Sequence, residues 1–149
     1  MKKLIVLLSA FLLINLMGFT QKIAPDKVPV PVKVSFAKKF PAAIDAIYEM
    51  SNKNYRVICN DKGVGTAVNY SPNGRWLQTE TKISEADLPK EVIASFARHF
   101  AGFIISEVTK IETSDKSVFY TINMQKNRQV YITKFSSRGD VLKKTLLSK

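Results

Sequence analysis

Two side chains in this sequence carry the chemistry of nucleophilic catalysis, Cys59 and His99, and each is the sole member of its type. A thiol activated by an imidazole requires the two within hydrogen-bond reach. Nothing in their spacing brings them together. Cys59 is expected as a small buried side chain in a strand, and with no second cysteine it forms no internal disulfide. His99 lies between Arg98 and Phe100 and is expected on the polar side of a helix, in solvent. The acids Glu80, Glu85, Asp87 and Glu91 gather around a helix start, where capping and the helix dipole explain them without acid–base catalysis. No His, Cys, Asp or Glu set has metal-ligand spacing. Gly63-Val64-Gly65 is a turn between strands rather than a phosphate loop opening a helix. No catalytic, cofactor-binding or metal-binding residue is therefore expected, and the chain does not read as an enzyme.

Side chains suited to binding are more evident. Tyr48, Tyr55, Tyr70, Trp76, Phe119 and Tyr131 fall on strand-like segments, with Arg56, Arg75, Arg128 and Lys134 nearby. Tyr, Trp and Arg are the types enriched at interface hot spots. Most strand aromatics belong to cores. Trp76, which follows a turn, and Phe119, by its parity in the strand, are expected to be partly exposed. With Tyr48, Tyr55, Tyr131, Arg56 and Arg75 they form the candidate partner-binding set.

The elements that would position these groups begin after a leader. Met1-Lys2-Lys3 precedes an apolar run, Leu4 to Met17, broken only by Ser9 and Asn15, and small residues follow at Gly18 and Thr20. That order is a secretory signal, here residues 1–20, and the run is short for a bilayer span, which takes about 20 apolar residues. Residues 21–27 read as a flexible lead-in, and 28–149 as one compact domain. Export argues against nucleic acid as the partner of a chain with formal charge +11. The expected location is periplasmic or secreted. The expected partner is an envelope protein, with an anionic lipid, glycan or small envelope ligand as the alternative. No stable membrane span is expected once the signal is removed.

The rest is organised by an internal similarity. Ser35-Phe36-Ala37-Lys38-Lys39-Phe40 and Ser95-Phe96-Ala97-Arg98-His99-Phe100 share four of six residues, and Val28-Pro29 matches Leu88-Pro89. The turn Ser71-Pro72-Asn73-Gly74 faces Ser136-Ser137-Arg138-Gly139. Each copy, 28–84 and 85–149, reads as one helix and four strands. Helices are predicted over Val30–Phe40 and Leu88–Ala101, with Asp87 as N-cap. Strands are predicted over 43–50, 54–60, 65–71, 75–83, 103–113, 117–125, 128–136 and 141–147. In the sixth of these, Val118, Tyr120, Ile122 and Met124 should face the helices and Phe119, Thr121, Asn123 and Gln125 should face out. The expected fold is α+β: a tandem repeat of one helix plus a four-stranded antiparallel meander, the two sheets joined edge to edge with the helices on one face.

Val30-Pro31, Phe36-Ala37-Lys38-Lys39-Phe40-Pro41, Tyr55, Asn69 to Leu77 with Glu80, Leu88-Pro89 and Gly139 together resemble the PepSY-like family of exported bacterial proteins. That family is also described as similar in fold to beta-lactamase-inhibitor protein. The resemblance implies a helix-plus-four-strand repeat, an exposed concave sheet face and an envelope location. On it, on the internal similarity and on the missing catalytic groups rests the expectation of a non-enzymatic binding module, an inhibitor or a sensor-type partner.

Overall fold

A computed structural model describes residues 20–148. The predicted signal peptide lies outside the described residues, apart from Thr20. Nine strands form one antiparallel sheet in strict chain order: β1 (Gln21–Ile23), β2 (Ala43–Ser51), β3 (Asn54–Asp61), β4 (Val64–Tyr70), β5 (Trp76–Ile83), β6 (Ile104–Thr113), β7 (Val118–Lys126), β8 (Gln129–Ser136) and β9 (Val141–Ser148). Among the described residues there are also two ten-residue α-helices, α1 (Val30–Lys39) and α2 (Lys90–His99).

This corrects the expected fold class. The structure is mostly a single nine-stranded sheet, not a tandem helix-plus-four-strand repeat with two joined sheets. The strands β5 and β6 pair without a bulge from Gln78↔Thr113 to Ile83↔Val108, so no seam divides the sheet. A ninth strand comes from the segment expected as a flexible lead-in. Gln21, Lys22 and Ile23 pair with Met50, Glu49 and Tyr48, and Pro25–Lys27 forms a 3-10 turn.

Both helices start after a proline. Pro29 and Pro89 occupy the N-cap positions with extended backbone, where a missing N–H costs nothing. Asp87, expected as the N-cap of the second helix, instead sits in the preceding 3-10 turn. There its carboxylate accepts from the Ser84 N–H at 3.3 Å, half of a capping box. Both helices close through a bond from the Phe40 or Phe100 N–H to the carbonyl of Phe36 or Phe96.

The helices lie on the same sheet face. Beneath α1, Val32 and Phe36 pack on Val57, Cys59, Val68 and Tyr70. Beneath α2, Val92 and Phe100 pack on Val108, Tyr120, Ile122, Met124 and Phe135. The alternation predicted for β7 places its buried set correctly, since every second residue of a strand meets the same layer. Burial, and secondarily Asp61, push the Cys59 thiol up, and burial pushes the Tyr70 phenol up to about 12. The Tyr70 hydroxyl is buried without a hydrogen-bond partner among the described residues. A buried donor left unpaired costs about 1–3 kcal/mol. Tyr70→Phe is therefore expected to hold or raise the urea midpoint, and a clear fall would mean the hydroxyl is paired in solution.

Candidate functional site

Among the described residues the second sheet face carries no helix, and its side chains fall into three transverse rows set by strand register. The middle row crosses seven strands as Ile47, Ile58, Ala67, Glu80, Ile111, Phe119 and Ser136. It is apolar except for Glu80 near its centre and Ser136 at its end. One flanking row runs Lys22, Glu49, Arg56, Asn69, Gln78 and Thr113. The other includes Lys82, Thr109, Thr121, Lys134 and Lys143. Cross-strand neighbours of this kind touch, so each row is a continuous surface.

Glu80 could not sit in an apolar row uncompensated. The Arg56 guanidinium donates to both of its oxygens at 2.7 Å, a bidentate pair. The Gln78 and Asn69 amides add bonds at 2.8 and 3.3 Å. Burial pushes the Glu80 carboxyl up, but these donors outweigh it and the net shift is downward. The hydrogen bond to Glu80 is the main cause that raises Arg56. A depression of about 630 Å³ is lined by Glu49, Arg56, Ile58, Asn69, Gln78 and Glu80, among others. A second, of about 310 Å³, continues past Ala67 to Lys82, Glu107 and Thr109. Lys82 and Glu107 are 2.6 Å apart in an exposed ion pair, which contributes little to stability.

The predicted binding residues divide between the two faces. Arg56 and Phe119 lie on the open face, and the Lys134 ammonium sits 4.0 Å from the Phe119 ring centroid. Tyr48, Tyr55 and Trp76 instead pack against the cluster beneath α1. Tyr48 meets Phe36 edge-on at 6.4 Å. Trp76 donates its indole N–H to Thr79 at 2.9 Å and lies under the Lys39 ammonium. Tyr131 packs beneath α2 against Phe103, with the Lys144 ammonium 4.2 Å above its ring. Arg75 is exposed in the β4–β5 turn, away from either face. Trp76 is partly exposed, as expected after a turn, but on the helix side, because Tyr70 pairs with Trp76 while Asn69 pairs with Gln78. Leu77 is thus an extra residue that flips the parity of β5, and a bulge leaves no mark in the composition.

Sequence reasoning did not single out Ile47, Ile58 or Ile111 as surface residues, nor the buried Ala67 as a member of their row. The matching parity of neighbouring strands was the available signal. Cys59 and His99 are not brought together: the thiol is buried beneath α1, while His99 is exposed on α2 with its Nδ1 2.9 Å from the Ser95 carbonyl oxygen. Among the described residues, no helix is long and apolar enough to cross a membrane.

No functionally curated protein matches the chain by sequence. Solved structures similar to it include three bacterial proteins. One from Bacteroides eggerthii, assigned to the periplasm, shares 21% identity at a TM-score of 0.76, covering 80% of this chain and 89% of its own. A DUF2874 family protein from Bacteroides uniformis shares 17% identity at a TM-score of 0.74, covering 80% and 89%. A BLIP-like protein from Bacteroides fragilis shares 21% identity at a TM-score of 0.69, covering 81% and 88%. At these identities the likeness is one of fold. The profile of the PepSY-like family, described as beta-lactamase-inhibitor-like, matches residues 53–143, which run from β3 into the start of β9 and include the whole middle row of the open face from Ile58 onward. On that match the chain belongs to the PepSY-like, beta-lactamase-inhibitor-like family.

Proposed function

We propose that this protein is an exported, non-enzymatic module that binds a protein partner in the periplasm through the open face of its sheet. The observation that carries this reading is the row order. A central apolar row flanked by polar and charged rows is the anatomy of a protein interface, with a desolvated core and a wet rim. Arg56 is the expected anchor. It is half-buried, planar and already fixed by Glu80, so little side-chain freedom is lost on docking. The leader-like N-terminus and the neighbour assigned to the periplasm support the location. The BLIP-like neighbour supports a partner that is itself a folded protein.

The test is capture from envelope extract on immobilised residues 21–149, with Ile58→Asp beside the wild type. Ile58 is partly exposed, so aspartate there should leave the fold intact and place an unpaired charge in the apolar row. A protein retained in stoichiometric amount at moderate salt, and lost from Ile58→Asp by about tenfold or more, is the expected result. Retention of only lipid or polysaccharide, falling steeply as salt rises, would overturn the reading. So would a partner indifferent to Ile58→Asp.

A further inference from the structure

The charges of the open face cancel along most of its width and fail to cancel at one end. On β1 to β6 its paired positions carry Lys22, Glu49, Arg56, Glu80, Lys82 and Glu107, three of each sign. They fall into neighbouring pairs. Lys22 stands opposite Glu49, Arg56 holds Glu80 at 2.7 Å, and Lys82 meets Glu107 at 2.6 Å. On β7, β8 and β9 the only charged side chains at paired positions of this face are Lys134 and Lys143. These three strands contain no Asp or Glu, and neither do residues 1–19.

Lys134 and Lys143 stand directly opposite each other on adjacent strands. A like-charge pair in that position is unfavourable. Lys134 gains partial relief over the ring of Phe119, the last apolar member of the middle row. Lys143 is exposed and makes no ion pair among the described residues. An acid at either position would complete a fourth pair, so the stability of the sheet does not account for two lysines there.

We propose, in an inference that rests on the open-face reading, that the partner protein carries an acidic cluster which docks over Lys134 and Lys143 while its apolar centre covers the row from Ile58 to Phe119. The charge balance selects a folded protein over a membrane or a polyanion. A uniformly anionic surface laid along this face would also meet Glu49, Glu80 and Glu107, whereas a protein can place its acids over one end alone. The lysine end then fixes the orientation of the partner and speeds its approach.

The probe is the protein that envelope extract yields on immobilised residues 21–149, purified and titrated against the same chain. Its association rate at low salt should fall by about tenfold or more in the double variant Lys134→Glu with Lys143→Glu, and the gap should close as salt rises. Lys38→Glu with Arg98→Glu makes the same charge change at exposed positions of the two helices and should slow association much less. Ile58→Asp should instead raise the dissociation rate. Carbodiimide, which joins an amine to a carboxylate in direct contact, should link Lys134 or Lys143 to an Asp or Glu of the partner. In the free protein Lys143→Glu should hold or raise the urea midpoint, because it turns the like-charge pair into an ion pair. Circular dichroism verifies that each variant is folded. A lower midpoint, equal slowing by the sheet and helix reversals, or no cross-link at these lysines would overturn this inference and leave the open-face reading standing. Retention of only lipid or polysaccharide, or of nothing, would overturn both.

Discussion

Gly139→Ala should lower the stability of this protein by about 3 kcal/mol, through two causes that act together. Gly139 has a φ of +88°, which costs an L-residue about 1–2 kcal/mol. It also lies in the β8–β9 turn directly against α2. An added Cβ would overlap the Glu91 carbonyl oxygen and stand 2.8 Å from its carbonyl carbon. That is helix backbone, which cannot swing aside, and such overpacking costs about 1–3 kcal/mol. Gly74 in the β4–β5 turn is in the same position against α1: its Cβ would lie 2.5 Å from the Pro31 carbonyl oxygen at a φ of +80°. Gly63 supplies the control. Its φ is +87°, but nothing lies within 4 Å of a Cβ there. Gly63→Ala should therefore cost only the backbone share, about 1 kcal/mol. In thermal unfolding the two helix-contact glycines should fall by about 10 °C and Gly63→Ala by much less. Equal losses at all three positions would show that the turns do not clamp the helices.

Arg56→Ala should cost about 2–4 kcal/mol, because it strands the Glu80 carboxylate in an apolar row with only two amide donors. The acid limb of stability follows from the same geometry. The folded-state pKa of Glu80 lies below its unfolded value. Its contribution is therefore fully present above the usual glutamate pKa and is lost as pH falls through the folded one. The urea-measured gap between wild type and Glu80→Gln should be constant near neutrality and narrow only at acid pH. A gap that widens in acid would contradict the assignment. Replacing both partners, Arg56→Met with Glu80→Leu, should restore most of the stability, since apolar pairs often match ion pairs in such positions. If the pair serves recognition, partner retention should stay lost in this double variant while the fold recovers.

The turns and strand segments were largely legible. Asn52-Lys53, Lys62-Gly63, Gly74, Lys116, Asn127-Arg128 and Gly139 supply the positive φ values that close the hairpins, and the glycines and asparagines among them announce it. The eight long strands accordingly begin and end within one residue of expectation. Sheet continuity was not legible. Whether β5 meets β6 along its full length depends on register across a connection that contains a helix, and no local pattern encodes that. The strand Gln21–Ile23 is too short to show alternation, so only its pairing with Tyr48 to Met50 reveals it. Of the candidate residues, Arg56 and Phe119 lie on the open face, and Trp76 is partly exposed as expected but on the helix side, because of the Leu77 bulge. Tyr48, Tyr55 and Tyr131 also lie on the helix side, since an aromatic on an amphipathic strand says which faces exist, not which one it joins.

The strict chain order of the nine strands bears on how the molecule forms and fails. Every hydrogen-bonded neighbour is also the next strand in sequence, so no pairing must wait for a distant segment to arrive. Folding can begin at any tight hairpin and grow outward one strand at a time, with short loop closures at all but the two helix-bearing connections. The same order puts the first and last strands at opposite margins. Tension applied between them loads the ladders in series rather than in parallel, and the sheet should come apart rung by rung, as a seam opens, at low force.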